Sequence, residues 1–366
     1  MKRIIHIVGG LGSGGTENML YKIVKYSDRT KYYHEVISLT DEGTFGSKIR
    51  SEGINVYTLN INIKNLVQSL FKAKRICVDS DLISTWLYHP DLFGFIVAKV
   101  LLKKKIVWNI RHNNLDKNTN KARTLRIVKI NSWLSKYIDS ITYNSNQAFE
   151  NHKLIGYKNE KSSVIPNGFE LDIFKFDKNF RMGLRRELNI DLDEKVIITV
   201  GRWNIQKDYY TLFNSLYKLN ELKTSYKMLM VGTNLDKSNA ELTALIEKFN
   251  LKDRVLLLGR RDDIPALLSV ADIYVSSSLG ESFSNSIGEA MACELTCVVT
   301  DVGESKTLVD KTGYIVSSQD YLGMASALAD ALKNTKVERN VKARRRILEE
   351  YDIKSIVKRY EEKFSN

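Results

Sequence analysis

The sequence predicts an α/β protein of two domains, and three observations carry that expectation. At 366 residues the chain can fill two cores of ordinary size. Short apolar runs, among them residues 4–8, 195–200 and 271–278, alternate with stretches of helical spacing, the rhythm of strand–helix–strand units. The first run ends in Gly9-Gly10-Leu11-Gly12-Ser13-Gly14-Gly15-Thr16-Glu17. The missing side chains let backbone approach a phosphate, and the helix that follows, from about Asn18, presents N–H groups to it.

Composition narrows the class. Apolar residues make up 43% of the chain and proline occurs three times, so packed cores with little disordered linker are expected. Cys77, Cys293 and Cys297 form no disulfide framework, and no His or further Cys completes a zinc set, so they read as buried free thiols in a reducing cytosol. The opening residues are too short for a secretory leader. The apolar run 92–102 is broken by Lys99 and stopped by Lys103-Lys104-Lys105, so no membrane span is expected. Charge is uneven: residues 1–168 hold 26 Lys/Arg against 13 Asp/Glu, while the remainder balances at 30 against 30. A basic first half attracts anionic lipid, nucleic acid or a phosphorylated substrate, with a solvated lysine-rich surface as the equal alternative.

In the first half, Gly10, Gly12 and Gly15 satisfy G-x-G-x-x-G, and Asp41 follows the next strand, 34–39. Its distance from Gly15, 26 residues, exceeds the usual ~20 of a dinucleotide site. A strand near 54–59 precedes a basic helix through 66–75, which either packs on a sheet or lies on a membrane. Asp79-Ser80-Asp81 comes before the strand 82–86 and not after it, so a turn without metal is expected. His89, in Trp86-Leu87-Tyr88-His89-Pro90, stands at that strand's carboxyl end, where open α/β sheets place ligands. An imidazole there can assist a developing charge near neutral pH. The strand 106–110 runs into Arg111, a candidate phosphate contact. Residues 141–145 and 164–168 look like the domain's last strands, and Pro166-Asn167-Gly168 signals a turn. Residues 171–187 read as a connecting segment.

The run 195–200 opens the second domain and leads into Gly201-Arg202-Trp203-Asn204-Ile205-Gln206-Lys207. Two cations just past a strand end can clamp two phosphates, Arg202 bidentately and Lys207 as a point charge. Strands near 226–231 and 255–258 follow, the second ending at Gly259-Arg260-Arg261. The run 271–278 leads to Gly280-Glu281-Ser282-Phe283-Ser284-Asn285-Ser286-Ile287-Gly288-Glu289. Glu281 and Glu289 bracket a strand-to-helix turn, where Ser284, Asn285, Ser286 and Ile287 offer backbone N–H groups to an anion. Carboxylates accept from sugar hydroxyls, so the pattern suits a ligand both polyhydroxylated and phosphorylated. Glu294 stands where a helix stop favours glycine, and a different local ending is expected. The tail from Val337 to Phe364 holds two helical segments.

These motifs resemble the retaining glycosyltransferases of family 4 over nearly the whole chain, most specifically from Lys195 to Gly313. The resemblance implies the GT-B architecture, two Rossmann-like domains facing an interdomain cleft. Residues 1–168 would bind the acceptor, 190–351 the nucleotide-sugar, with 169–189 as hinge and 352–366 packing back on the first domain. The implied donor site comprises Gly14, Gly15, Arg202, Lys207, Arg260, Glu281, Ser284, Asn285, Ser286, Ile287 and Glu289, with Glu281 on the sugar and Glu289 on the ribose. Gly15, Tyr88, His89 and Arg111 would meet the acceptor, and His89, Glu281, Arg202 and Lys207 would carry catalysis. No pair of carboxylates is arranged as acid and nucleophile, so front-face attack is expected, with the leaving phosphate taking the acceptor's proton.

The donor would be a UDP-sugar such as a UDP-N-acetylhexosamine or UDP-hexose, with no separate cofactor and no metal. The acceptor would be a glycan or a lipid-diphosphate carrier in polysaccharide assembly. The expected setting is cytoplasmic, with an anionic membrane surface as a further partner of the basic domain and no nucleic acid. Three rivals stand beside this reading. They are a UDP-N-acetylhexosamine 2-epimerase of the same architecture, an NAD-dependent oxidoreductase using Gly10 to Gly15 and Asp41, and a non-catalytic glycan-binding module.

Overall fold

A computed structural model describes residues 1–115, 120–158, 160–334 and 339–365. Val337, where the tail was expected to start, and Asn366, the end of the segment 352–366, lie outside the described residues. The chain divides into two compact units, Met1–Gly168 with Ile353–Asn366, and Phe169–Asp352.

The first unit alternates β1 (Lys2–Val8), α1 (Gly15–Tyr26), β2 (Tyr32–Ser38), α2 (Gly43–Ser51), β3 (Asn55–Thr58), α3 (Leu66–Cys77) and β4 (Leu82–Trp86). It continues with α4 (Tyr88–Phe95), extended by π-helical turns over Ile96–Leu102, then β5 (Lys105–Ile110), α5 (Ala122–Leu134), β6 (Ser140–Tyr143), α6 (Asn146–Leu154) and β7 (Ser163–Val164). Among the described residues these strands form one parallel sheet in the order β3-β2-β1-β4-β5-β6-β7. The strands are apolar on both faces because both faces are covered. Ile4 and Val8 of β1 pack with α1 on one side, and Ile5 and Ile7 pack with α3, α4 and α5 on the other. Helix α1 begins three residues ahead of the expected Asn18. Gly14 takes the extended conformation of an N-cap (φ −118°), a position glycine fills well.

The second unit holds α7 (Lys178–Glu187), β8 (Val196–Val200), α8 (Tyr209–Glu221), β9 (Lys227–Val231), α9 (Ala240–Lys248), β10 (Val255–Gly259), α10 (Ile264–Val270) and β11 (Ile273–Ser276). Then come α11 (Asn285–Ala292), β12 (Thr296–Thr300), α12 (Ser305–Val309), β13 (Tyr314–Val316), α13 (Tyr321–Asn334) and α14 (Val341–Glu350). Its parallel sheet has the order β10-β9-β8-β11-β12-β13 among the described residues. Within 169–189, α7 is part of this unit's structure. Arg181 and Arg185 both donate to Asp272, at 2.7 and 3.0 Å, and Asp272 also accepts from the backbone N of Val196 at 2.8 Å. One carboxylate thus ties α7 to the leading ends of β8 and β11. Arg185 is fully buried, so removing Asp272 would strand a charge in the core.

The last helix, α15 (Ile353–Ser365), belongs to the first unit. It buries Ile353, Ile356, Val357, Tyr360 and Phe364 at helical spacing, on the order of 10 kcal/mol of gross apolar burial before ordering entropy. Polar contacts fix its register. Glu361 accepts from Ser27 Oγ at 2.8 Å and from the backbone N of Asp28 at 2.6 Å.

One local expectation is corrected. Glu294 does not end α11 differently from a glycine. It takes the left-handed conformation itself (φ +64°), and the N–H groups of Glu294 and Leu295 reach Met291 and Ala290 carbonyls at 3.0 Å. The helix stop is the one glycine would form, with a side chain forced into it.

Candidate functional site

Each sheet has one place where strand order reverses. In the second unit it lies between β8 and β11, whose connections leave in opposite directions across the sheet. The carboxyl ends of two such strands leave a crevice that no crossover helix fills, and ligands of open α/β sheets bind there. Arg202 and Lys207 follow β8, while Glu281 and the start of α11 follow β11. The two predicted motifs therefore meet at one crevice edge.

Their contact is direct. Lys207 Nζ donates to Glu281 Oε1 at 2.5 Å, with the side chains 22% and 18% exposed. Ser278 Oγ donates to the same oxygen at 3.0 Å. Ser277 Oγ donates to the carbonyls of Lys207 and Asp208 at 2.8 and 2.9 Å, and the N–H of Leu279 reaches the Gln206 carbonyl at 2.8 Å. The loop after β8 is thus fastened to the loop after β11 by backbone as well as charge. Asn204 caps the short turn Ile205–Lys207 and Asp208 caps α8, which sets where Lys207 leaves the chain. Arg202 is exposed, in the loop that leaves β8.

Ser284 is the N-cap of α11, and its side chain makes no capping hydrogen bond. Tyr274 Oη, from within β11, donates to Ser286 Oγ at 2.8 Å and so holds the helix start over the strand. Asn285, Ser286 and Glu289 are half-buried, and Ile287 is buried. Arg260 is exposed after β10, the edge strand, two places from β8.

Several residues that shape this crevice were not singled out from the sequence. Gly232 follows β9 at φ +142°, and a Cβ there would overlap the Gly201 carbonyl oxygen. Gly303 follows β12 at φ +56°, and its Cβ would overlap the backbone oxygen of Glu281. Both let neighbouring loops lie backbone to backbone, so the crevice floor carries no side chains there. Ser277 and Ser278 are the other omission. Three serines ending an apolar run were the available signal.

In the first unit the reversal lies between β1 and β4. The glycine loop follows β1 and His89 follows β4. The two are neighbours, since a Cβ on Gly9 would touch Pro90 at 3.9 Å. Thr40 Oγ1 donates to the Gly9 carbonyl at 2.9 Å and the N–H of Phe45 to that of Leu11 at 2.8 Å, bracing the loop. Glu17 folds over Gly14, and burial raises its carboxyl pKa. His89 is exposed at the start of α4. Partial desolvation and the charge of Arg123 lower its pKa, which favours the neutral imidazole.

Tyr88 and Arg111 are placed differently from expectation. Tyr88 is buried, with its hydroxyl 3.0 Å from His152 Nε2 and its carbonyl held by Asn131 at 2.9 Å. His152 Nδ1 donates to the Ala148 carbonyl at 2.7 Å, so Nε2 must accept from Tyr88. Arg111 is also buried. It donates to Tyr360 Oη at 2.5 Å and to the Asn167 side chain, with its guanidinium over the Trp86 ring. Both are interior braces where an acceptor contact was expected. Tyr88 fixes the turn that carries His89, and Arg111 fastens α15. Asp79 and Asp81 sit in the turn before β4 beside Arg3. Among the described residues no group of three or more His, Cys, Asp or Glu side chains could hold a metal ion.

Comparison with known proteins fits this geometry. The model of the family described as Glycosyltransferase Family 4 matches residues 13–173, and that of Glycosyl transferases group 1 matches residues 194–334. The chain belongs to the group 1, family 4 glycosyltransferases. It is 28% identical over 216 residues to the N-acetyl-alpha-D-glucosaminyl L-malate synthase of Bacillus anthracis, covering 58% of this chain and 55% of that protein. It is 31% identical over 174 residues to the UDP-Gal:alpha-D-GlcNAc-diphosphoundecaprenol alpha-1,3-galactosyltransferase of Escherichia coli, covering 46% and 44%. The chain thus spans about half the length of the curated relatives it matches. Over the full length of both chains it superposes on Anabaena Alr3699/HepE in complex with UDP, with a TM-score of 0.85 and 23% identity. The fold is the GT-B type. Neither an epimerase nor a dehydrogenase is favoured by these matches.

Proposed function

We propose that the protein transfers a sugar from a UDP-sugar to a glycan or a lipid-diphosphate-linked acceptor, with retention of anomeric configuration. The observation that carries this reading is the Lys207–Glu281 pair at the β8/β11 reversal, 2.5 Å apart and mostly shielded from water. It sets an ammonium for phosphate beside a carboxylate for hydroxyls, which is the charge pattern of a sugar diphosphate. Arg202, Lys207 and the amides opening α11 take up the charge that grows on the leaving diphosphate. Glu281 orients the sugar and Glu289 the ribose. The acceptor hydroxyl attacks from the leaving-group side and passes its proton to the departing phosphate oxygen. His89, a neutral donor, polarises or positions the acceptor.

Two relatives support the choice of donor and acceptor. The Escherichia coli protein above is named for UDP-galactose and a diphosphoundecaprenol acceptor, and a solved structure of Anabaena Alr3699/HepE holds UDP-glucose. A lipid-borne acceptor places the work at the inner face of a membrane. No helix among the described residues is long and apolar enough to cross one.

The test is a thermal-stability screen of UDP-, GDP- and ADP-sugars, because a ligand bound only by the folded state raises the melting temperature. A UDP-sugar is expected to raise it, and the Glu281→Ala protein should lose transfer. No response to any nucleotide-sugar, or normal turnover by Glu281→Ala, would overturn the reading.

A further inference from the structure

We infer that the outward face of α3, the π-helical extension of α4, and α5 is a binding surface for anionic lipid bilayer. These segments lie side by side on one face of the first sheet, packed on Ile5, Ile7, Ile83, Ile106 and Ile141. Their opposite sides are unusually apolar for a solvent face. Helix α3 buries Ser69, Ala73 and Cys77, and the line directly across it carries Val67 and Phe71, 66% and 54% exposed. Helix α5 buries Val128, Asn131 and Ser132, and the line across it carries Ile130 and Trp133 and runs on to Tyr137. These are 46%, 76% and 59% exposed. Between the two helices Val100 is 62% exposed. Single exposed apolar residues need no explanation, but two rows with Val100 between them on one face do.

The charge around these rows identifies the occupant. Residues 62–78, 96–105 and 120–138 together carry 13 Lys/Arg and no Asp/Glu; Asp79 and Asp139 border them, and Asp139 holds Lys99 at 2.6 Å. A merely solvated face would mix signs, and a protein interface would be poor in lysine at its core. Single-stranded nucleic acid would use the aromatic rings, but valine and isoleucine gain nothing by stacking on bases. A bilayer with anionic headgroups takes all three kinds of side chain at once. Aliphatic groups enter the acyl boundary, Trp and Tyr sit at the interface, and Lys/Arg meet the phosphates while their stems stay apolar. Lys136 Nζ lies 4.9 Å from the Tyr137 ring centroid, a cation and an interfacial aromatic held side by side. The surface gives a lipid-borne acceptor its setting, yet it stands apart from the sugar-transfer reading, because no donor-site residue lies on it.

The test is flotation of the full chain with vesicles of phosphatidylcholine alone or with two-fifths phosphatidylglycerol. Binding is expected with phosphatidylglycerol and to weaken as salt rises. Each basic side chain at the surface is worth roughly fivefold, so Lys72→Glu with Arg75→Glu should weaken binding well over tenfold. Trp133→Ser should weaken it roughly tenfold. Lys237→Glu, on the second unit, should change nothing. All four positions are exposed, and a melting response to UDP in each variant reads the donor site separately. The inference is overturned by binding that ignores phosphatidylglycerol, or by variants that bind as wild type. It is equally overturned if vesicles do not bind, whether the chain then proves silent, self-associates through Trp133 or captures a single-stranded RNA oligomer.

Discussion

Replacing Glu281 with glutamine should move two ligands in opposite directions. In the free protein Lys207 Nζ already donates to Glu281 at 2.5 Å. A diphosphate arriving at Lys207 must share that ammonium with a carboxylate and tolerate the carboxylate's own charge. The like-charge term at a part-buried site, after screening, is about 1 kcal/mol, so UDP alone should bind Glu281→Gln roughly fivefold tighter. A UDP-sugar gains the same relief but loses a charge-assisted contact to its hydroxyls, worth about 1.5–3 kcal/mol. Its affinity should therefore fall, and the ratio of the two dissociation constants should change by roughly 10- to 150-fold. The fold should tolerate the change. Lys207 and Ser278 can still donate to the amide oxygen, so the part-buried pair is weakened and not emptied, at a cost of about 1–2 kcal/mol. Titration calorimetry with UDP and a UDP-sugar on wild type and variant measures both. If the two ligands shift together by one factor, Glu281 does not touch the sugar and the assignment fails.

Three further outcomes follow from the structure. Glu294→Gly should stabilise the second unit by about 1 kcal/mol, or roughly 2–4 °C in melting temperature, since the φ of +64° is free to glycine; an unchanged or lower melting point would refute the strain. Gly303→Ala should cost donor affinity about tenfold while leaving every charged group in place, because its Cβ would push the Glu281 backbone aside; calorimetry showing wild-type affinity would discount that packing. Burial holds His34 and His152 down to about 4 and His6 well below its ordinary value. The unfolded chain binds the protons these imidazoles refuse, so their contribution is whole above about pH 6.5 and is lost as pH falls towards 4. For His34 it is on the order of 3 kcal/mol, and urea midpoints that stay flat from about pH 7 to pH 5 would contradict it.

Much of this was legible in the sequence because it is written in local pattern. Apolar runs bounded by glycine gave the strands, and strands covered on both faces must read that way. The cations after one strand and the acids after another were visible as motifs. Strand order was not: β8 pairs with β11 across some 70 intervening residues, and only that pairing makes Lys207 and Glu281 neighbours. Tyr88 and Arg111 misled because a polar residue at a strand end looks the same in sequence whether its partner is a ligand or the protein. Arg111 finds its partners at Asn167 and Tyr360, far along the chain. Gly232 and Gly303 were passed over for a similar reason, since a close approach between loops leaves no trace beyond a glycine.

The assignment of α15 to the first unit has a consequence during synthesis. A ribosome releases Gly168 long before Ile353, and the 184 residues between them take roughly 10–40 s at ordinary elongation rates. Throughout that interval the groove awaiting Tyr360 and Phe364 stays open, and Arg111 lacks its phenol partner. The amino-terminal half must therefore wait, incomplete, until α15 has been made. A nascent chain stalled before residue 353 should be a better client for a holdase than one stalled after α15 has left the ribosome.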